Sequence, residues 1–297
     1  MGHPPPGAFS LKHKSTLPAV FLSPALVILA VLALVPTAFA IFISFQDREL
    51  SRPDGRFVGL DNYLALFSDR RFVNAIGVSL TWEVVTVGFT LLVALLIGIL
   101  MFEYAGPRWR SALSLMFLMP VILPRVSAAF VWKFAFHPLY GIITWPWKAI
   151  TGQPLDLLSD PATALGTVAL VDIWQWGLFF AVIVLKLLET LPPQPFEAAR
   201  LDHARTWQVY AYVAIPMLKA PLISLVFVKM VESLRAFDLI YVMTRGGPGI
   251  TTETLDMYAF SQGFVESGRI SYASSMAVLM MIATSLVFTV IWKRTRA

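Results

Sequence analysis

The chain has 297 residues, 57% of them hydrophobic and 14% charged, with a mean hydropathy of +0.71 and no cysteine. Soluble domains are about half apolar and a quarter charged, so this composition argues against a soluble fold, and the missing thiols exclude disulfides, thiol catalysis and cysteine metal sites. The formal charge of +5 comes mainly from Lys and Arg flanking apolar blocks, which points to a bilayer rather than to nucleic acid.

Residues 1–16 read as a short polar tail. The apolar run that follows is longer than a signal-peptide core and lacks a small-residue cleavage site. Six stretches are long and apolar enough to cross a bilayer, which takes about 20 helical residues. They cover 17–45, 72–102, 113–136, 162–188, 217–242 and 272–292. With their loops they make one all-α membrane domain over 17–292, closed by a basic tail at 293–297. Pro24, Pro36, Pro120, Pro124 and Pro221 fall inside spans, where neighbouring helices can re-satisfy the backbone. Ala273 and Ala277 form a small-xxx-small pair suited to close helix contact. An inside N-terminus places the larger share of Lys and Arg on the inner segments, and the closing WKRTRA agrees. Both termini and the 189–215 loop then face the cytoplasm.

Ionisable residues within spans are rare and face a protein interior or a watery cavity. Here they are Glu83, Arg125, Lys133, Asp172, Lys229, Glu232, Arg235 and Asp238. The last four alternate in sign at i,i+3 spacing, so they are expected to pair along one helix. For Arg235 and Asp238 such a packing role stands level with a functional one. Asp172, Gln175, Trp176, Lys229, Glu232 and Ser233 lie about midway along the fourth and fifth spans, the level at which transporter sites form. Their carboxylates, amide and indole suit a hydroxyl-rich solute, and Arg125 with Lys229 suits an anionic group. Trp174 reads as packing. The histidines (His3, His13, His137, His203) are too dispersed for a metal site.

Between the fourth and fifth spans, Pro192, Pro193 and Pro195 stop the membrane helix. Residues 196–201 then suit a second helix, with proline in its first turn and Glu197 near its positive end. About ten residues rise roughly 15 Å, half a bilayer, so this helix lies outside the membrane. Its residues alone fit a capped connector and a docking element equally well.

The stretch LKLLETLPPQPFEAARLDHARTWQVYAYVAIPML resembles the EAA loop of the membrane subunits of bacterial ABC importers, and more narrowly that of the carbohydrate-uptake branch. The matching residues are Leu185, Leu188, Pro192, Glu197, Ala198, Ala199, Asp202, Ala204 and Pro216. RAFDLIYVMTRGGPGITTETLDMYAF is similar to the F-D-x-I-x-x-x-T-x-G-G-P segment after the fifth span in the first of the two permeases of such systems. It begins at Arg235 and matches at Phe237, Asp238, Ile240, Thr244, Gly246, Gly247, Pro248, Thr252, Leu255 and Tyr258. VWKFAFHPLYGIITWPW is similar to the family's W-x-x-x-x-x-P-x-x-G-x-x-N region after the third span.

The resemblance spans nearly the whole chain and implies the six-helix fold of type I ABC importer permeases. It implies alternating-access import of a carbohydrate (a sugar, polyol, glycoside or glycerol-phosphate-like solute) across the bacterial inner membrane. The implied partners are a second homologous permease, two copies of an ABC ATPase and an extracytoplasmic solute-binding protein. The loop helix would dock in a groove of the ATPase through Glu197, Ala198, Ala199, Asp202, His203 and Ala204, with Pro216 at the bend. No phosphate loop, H-E-x-x-H pair or G-x-S-x-G elbow occurs in the chain. No catalytic residue or bound cofactor is therefore expected, and ATP and Mg belong to the ATPase subunits. The family glycine after Asp202 is His203 here. Glycine would allow positive φ, and histidine is among the few other residues enriched there, so the turn is expected to survive. The competing readings are an amino-acid or peptide importer permease, which the G-G-P block disfavours, and a membrane-embedded enzyme using Asp172, Glu232 and Asp238 as acid/base groups.

Overall fold

The computed structural model describes residues 17–296. The tail expected at 1–16 lies outside the described residues, and the expected tail at 293–296 continues the last helix. In chain order, α1 (Leu17–Ser44) leads into a two-stranded antiparallel hairpin of β1 (Gln46–Glu49) and β2 (Arg52–Phe57), then the short α2 (Asp61–Ser68). This hairpin is an addition to the all-helical plan, in a segment expected to be a loop. Gly55 packs directly against the Arg48 side chain in it: a Cβ there would sit 2.1 Å from Arg48 Cγ, so that side chain would have to move aside.

Next come α3 (Arg70–Tyr104), α4 (Pro107–Ile122), α5 (Arg125–Ala135), α6 (Trp145–Thr151), α7 (Ala164–Glu189) and α8 (Gln194–Leu201). A helical segment over Thr206–Met217 follows, containing α9 (Thr206–Val209), a π-turn and α10 (Ile215–Met217). The chain ends with α11 (Lys219–Ser233), α12 (Phe237–Met243), α13 (Leu255–Phe260) and α14 (Ile270–Arg296).

Four helices among the described residues, α1, α3, α7 and α14, are each long and apolar enough to cross a bilayer. The central contact is α3 against α7. The buried stripe of α3 includes Ala75, Trp82, Thr86, Thr90, Ala94, Gly98 and Met101. After Ala75 these fall mostly three or four residues apart, the spacing of one helix face. Small residues let the backbones approach: a Cβ on Gly98 would lie 2.8 Å from Val184 Cγ1, and one on Gly177 would lie 3.0 Å from Val93 Cγ1.

The third and fifth spans, expected as continuous helices, are interrupted. α4 and α5 meet at 97°. Pro124 lacks an N–H and biases the residue before it away from helix, and Leu123 is extended at φ −68°, ψ 131°. The Thr206–Met217 segment meets α11 at 78°. α11 has 15 residues, about 22 Å at 1.5 Å each, short of the roughly 30 Å apolar core of a bilayer. A turn at 234–236 then separates α11 from α12. Six spans result when each bent pair counts as one.

Candidate functional site

Ionisable groups from four helices converge inside the bundle. Asp172 on α7 is fully buried. One of its oxygens accepts from Arg125 Nη2, at the start of α5, at 2.5 Å, and the other accepts from Lys229 Nζ on α11. Lys229 is also fully buried and lies 5.8 Å from the ring centroid of Trp176. Arg125 Nη1 donates to the carbonyl of Arg235 in the turn after α11. Glu83 on α3 accepts from the Ser233 hydroxyl, and the Trp82 indole donates to the Ser233 carbonyl at 3.0 Å. A cavity of about 490 Å³ between α3, α11 and α14 touches this polar cluster at Glu83 and Ser233 and is otherwise mostly apolar. Buried charges survive only when paired and hydrogen-bonded, and here each cation meets the same carboxylate.

Gln175, one turn along α7 from Asp172, is 2% exposed, and its amide donates to the carbonyls of Pro120 and Leu123 at 2.9 Å each. Those are carbonyls at the break between α4 and α5, so the side chain closes that break. The expected pairing along the fifth span does not form. Lys229 turns to Asp172 instead, and α11 ends at Ser233 before the sign pattern is complete. Glu232 and Asp238 are half-buried and Arg235 is exposed, with no ion pair at any of the three among the described residues. Sequence reading placed Glu83 within a span but not beside Ser233, and nothing local marked Trp82.

At one end of the bundle α8 hangs between α7 and the Thr206–Met217 segment. Its inner side is fixed: the Phe196 ring lies 6.3 Å from that of Phe102 and 6.4 Å from that of Tyr210. Glu103, at the end of α3, accepts from Tyr210 Oη at 2.7 Å and Arg200 Nη2 at 3.3 Å. Its outer side is open, with Glu197, Ala198, Leu201 and Asp202 exposed and Ala199 half-buried. Glu197 and Asp202 have no ion pair among the described residues. His203 adopts φ +57°, and the Ala204 N–H closes the turn onto the Ala199 carbonyl at 3.0 Å. The left-handed turn expected of the family glycine is therefore kept by histidine. Pro216 lies in α10, exposed, just before the 78° bend. Glu103, Phe102 and Tyr210 were missed in sequence, because they sit at ends of apolar stretches with no pattern linking them to α8.

At the opposite end, Arg71 makes two-pronged contacts to Glu253 (2.7 Å, both) and Glu266 (2.8 Å, both). Hydrogen bonds from Arg71 outweigh desolvation and hold the Glu266 carboxyl below its ordinary range. Asp69 caps α3 and accepts from the Tyr258 and Tyr272 hydroxyls. Burial alone would raise its pKa, but these bonds and the Arg71 and Phe72 N–H groups bring it below the usual value. The G-G-P block folds into a compact turn here. Thr244 and Thr252 share a hydroxyl contact at 2.7 Å, Thr252 Oγ1 donates to the Gly247 carbonyl at 2.8 Å, and Gly246 has φ +86°. The Gly247–Pro248 peptide is cis.

Straight membrane helices, two interrupted spans meeting at buried charges, and a short exposed helix slung from the bundle together define an integral membrane transport domain. The chain belongs to the family of binding-protein-dependent transport system inner membrane components, whose family model matches residues 94–294. Its fold is that of type I ABC importer permeases. It is 27% identical over 283 residues to the trehalose/maltose transport system permease protein MalF of Thermococcus litoralis, covering 95% of this chain and 94% of that one. It is 29% identical over 279 residues to the sulfoquinovosyl glycerol transport system permease protein SmoG of Agrobacterium fabrum, covering 94% and 89%. Among solved structures it is similar to a chain of a bacterial ABC transporter involved in the import of the acidic polysaccharide alginate. That match has a TM-score of 0.81 at 18% identity and covers 94% of this chain and 95% of the other.

Proposed function

We propose that this chain is one of two permease subunits of an ATP-driven importer that carries a carbohydrate across the inner membrane by alternating access. A second homologous permease, two copies of an ABC ATPase and an extracytoplasmic solute-binding protein complete the transporter. ATP and Mg are held by the ATPase, and both termini of this chain face the cytoplasm. The names of the relatives, which transport trehalose/maltose and sulfoquinovosyl glycerol, support a glycoside-like cargo.

The observation that carries this reading is the two-sidedness of α8. Phe196 and Arg200 lock it to α3, while Glu197, Ala198, Leu201 and Asp202 face away from the chain. A rigidly held helix with an uncovered acidic and small-residue face transmits a push only if something binds that face. Glu197 pairs there with a basic residue of the ATPase groove, and Ala198 and Ala199 permit close approach. Motion then reaches the midsection through α3 and α7, where Asp172, Trp176, Lys229, Glu232 and Ser233 border the cargo path. Arg125 and Gln175 stand at its edge, engaged with the helix breaks.

The test is Glu197→Lys in the assembled, reconstituted transporter. Reversing one partner of a desolvated ion pair costs a few kcal/mol, so uptake falls by about tenfold or more. ATP hydrolysis stops responding to the cargo-loaded binding protein. Normal uptake with normally coupled hydrolysis would remove the docking claim.

A further inference from the structure

Two helix interruptions lie beside each other in the bundle, and one side chain reaches from one to the other. Arg125 is the first residue of α5, just after the break at 123–124. Its guanidinium reaches Asp172 on α7 and the Arg235 carbonyl in the turn between α11 and α12, 110 residues along the chain. Beyond the breaks, α5 and α12 pack on each other, and Lys133 Nζ on α5 donates to the Val242 carbonyl on α12 at 2.7 Å. Before the breaks, α4 packs on α7 and α11 packs on α3. The α5 and α12 pair also shares an apolar core with the straight helices, in which Ala129, Leu239 and Ile240 pack with Trp82, Val168 and Val171, and at the breaks Arg125 adds a polar tie between that pair and α7.

The two cations on Asp172 are not equivalent. Lys229 is fully buried, whereas the Arg125 side chain keeps 12% exposure. A carboxylate shared by two cations stays paired when one leaves, so the Arg125 arm can detach without stranding a buried charge. The planar fork of arginine also serves two acceptors at once, which a lysine ammonium on a single flexible stem reproduces poorly.

We infer that Arg125 is a positioning residue that makes the two interruptions a single hinge. It ties the α5 and α12 pair to α7 in this state, beside their shared apolar core, and its release from Asp172 lets that pair shift against the core, while Lys229 remains the counter-ion. The inference rests on the importer reading for its transport arm and on geometry alone for its structural arm.

The experiment uses the complete transporter in nanodiscs, with Arg125→Gln and Arg125→Lys compared with the natural chain. Allosteric couplings correspond to factors of about 5–150. Arg125→Gln is expected to raise hydrolysis without cargo-loaded binding protein by about fivefold or more and to lower maximal uptake similarly. The half-saturating concentration of loaded binding protein stays within about twofold, and Arg125→Lys gives intermediate values. The chain has no cysteine, so spin labels at Phe134→Cys and Leu170→Cys, both exposed and on α5 and α7, report the hinge directly. Their distance distribution in the nucleotide-free state broadens in Arg125→Gln. A raised half-saturating concentration with full maximal uptake would make Arg125 a cargo contact and overturn the inference, as would an unchanged distance distribution. If the natural transporter took up no carbohydrate, the importer reading would fall while the distance measurement still decided the hinge.

Discussion

The pair α3 and α7 and the broken elements α4–α5 and α11–α12 solve the same problem differently. α3 and α7 are uninterrupted helices of 35 and 26 residues that approach closely through Gly98 and Gly177. The broken elements leave free backbone carbonyls at the breaks, and Gln175 and Arg125 capture several of them. In an apolar solvent every such group must be satisfied internally. A straight pair does this within each helix and becomes rigid. A broken pair relies on side chains from other helices to close its carbonyls. The frame carries α8 at its end, and the contacts at the breaks gather around Asp172 and Gln175. That division is what a coupled transporter needs.

Five substitutions, two of them serving as comparisons, probe the contrast, beginning with the largest effect. Asp172→Ala strands Lys229 and Arg125 together and is expected to cost about 3–5 kcal/mol, read as the loss in unfolding free energy in detergent. Arg125→Gln, which leaves Asp172 with Lys229, costs far less, and equal losses in the two would erase the proposed asymmetry between the cations. Within the frame, Gly98→Leu must displace Val184 and press on the Ala181 carbonyl, 3.0 Å from the added Cβ. The expected cost of this overpacking is about 1–3 kcal/mol. Gly88→Ala on the same helix, with nothing within 4 Å of its Cβ, is the control and is neutral or slightly stabilising. Smallest of all is His203→Gly, which relieves a left-handed conformation worth roughly 1–2 kcal/mol while adding chain entropy to the unfolded state. Stability shifts by about 1 kcal/mol or less, and uptake is retained. A large loss of uptake in that variant would give the imidazole itself a role in docking.

Much of the frame was legible in the sequence because its signal is length. α1, α3, α7 and α14 are apolar runs that admit few other readings, and the proline cluster before α8 separates it from α7. The His203 turn was legible because its conformational demand is local. The breaks were not. Pro124 marked one of them, but membrane helices tolerate proline, and the turn at 234–236 contains neither proline nor glycine. Its carbonyl is satisfied by a residue 110 positions away. The charge pairing failed for the same reason. Lys229, Glu232, Arg235 and Asp238 show their i,i+3 relation in sequence, whereas the partner Lys229 takes lies 57 positions earlier on another helix. Glu103 gave no hint of its grip on α8, since that contact exists only once α3 and α7 lie side by side.

Central to all of this is the proposal that the open face of α8 meets a nucleotide-driven subunit. The chain contains no cysteine, so Ala198→Cys places one thiol on that face, and cross-linking it in the native membrane reads the contact directly. The result predicted is a high-yield adduct with the ATPase subunit whose yield or partner position changes on adding ATP. Labelling of the introduced thiol by an impermeant reagent from the outer side, or adducts lacking any nucleotide-binding chain, would contradict it.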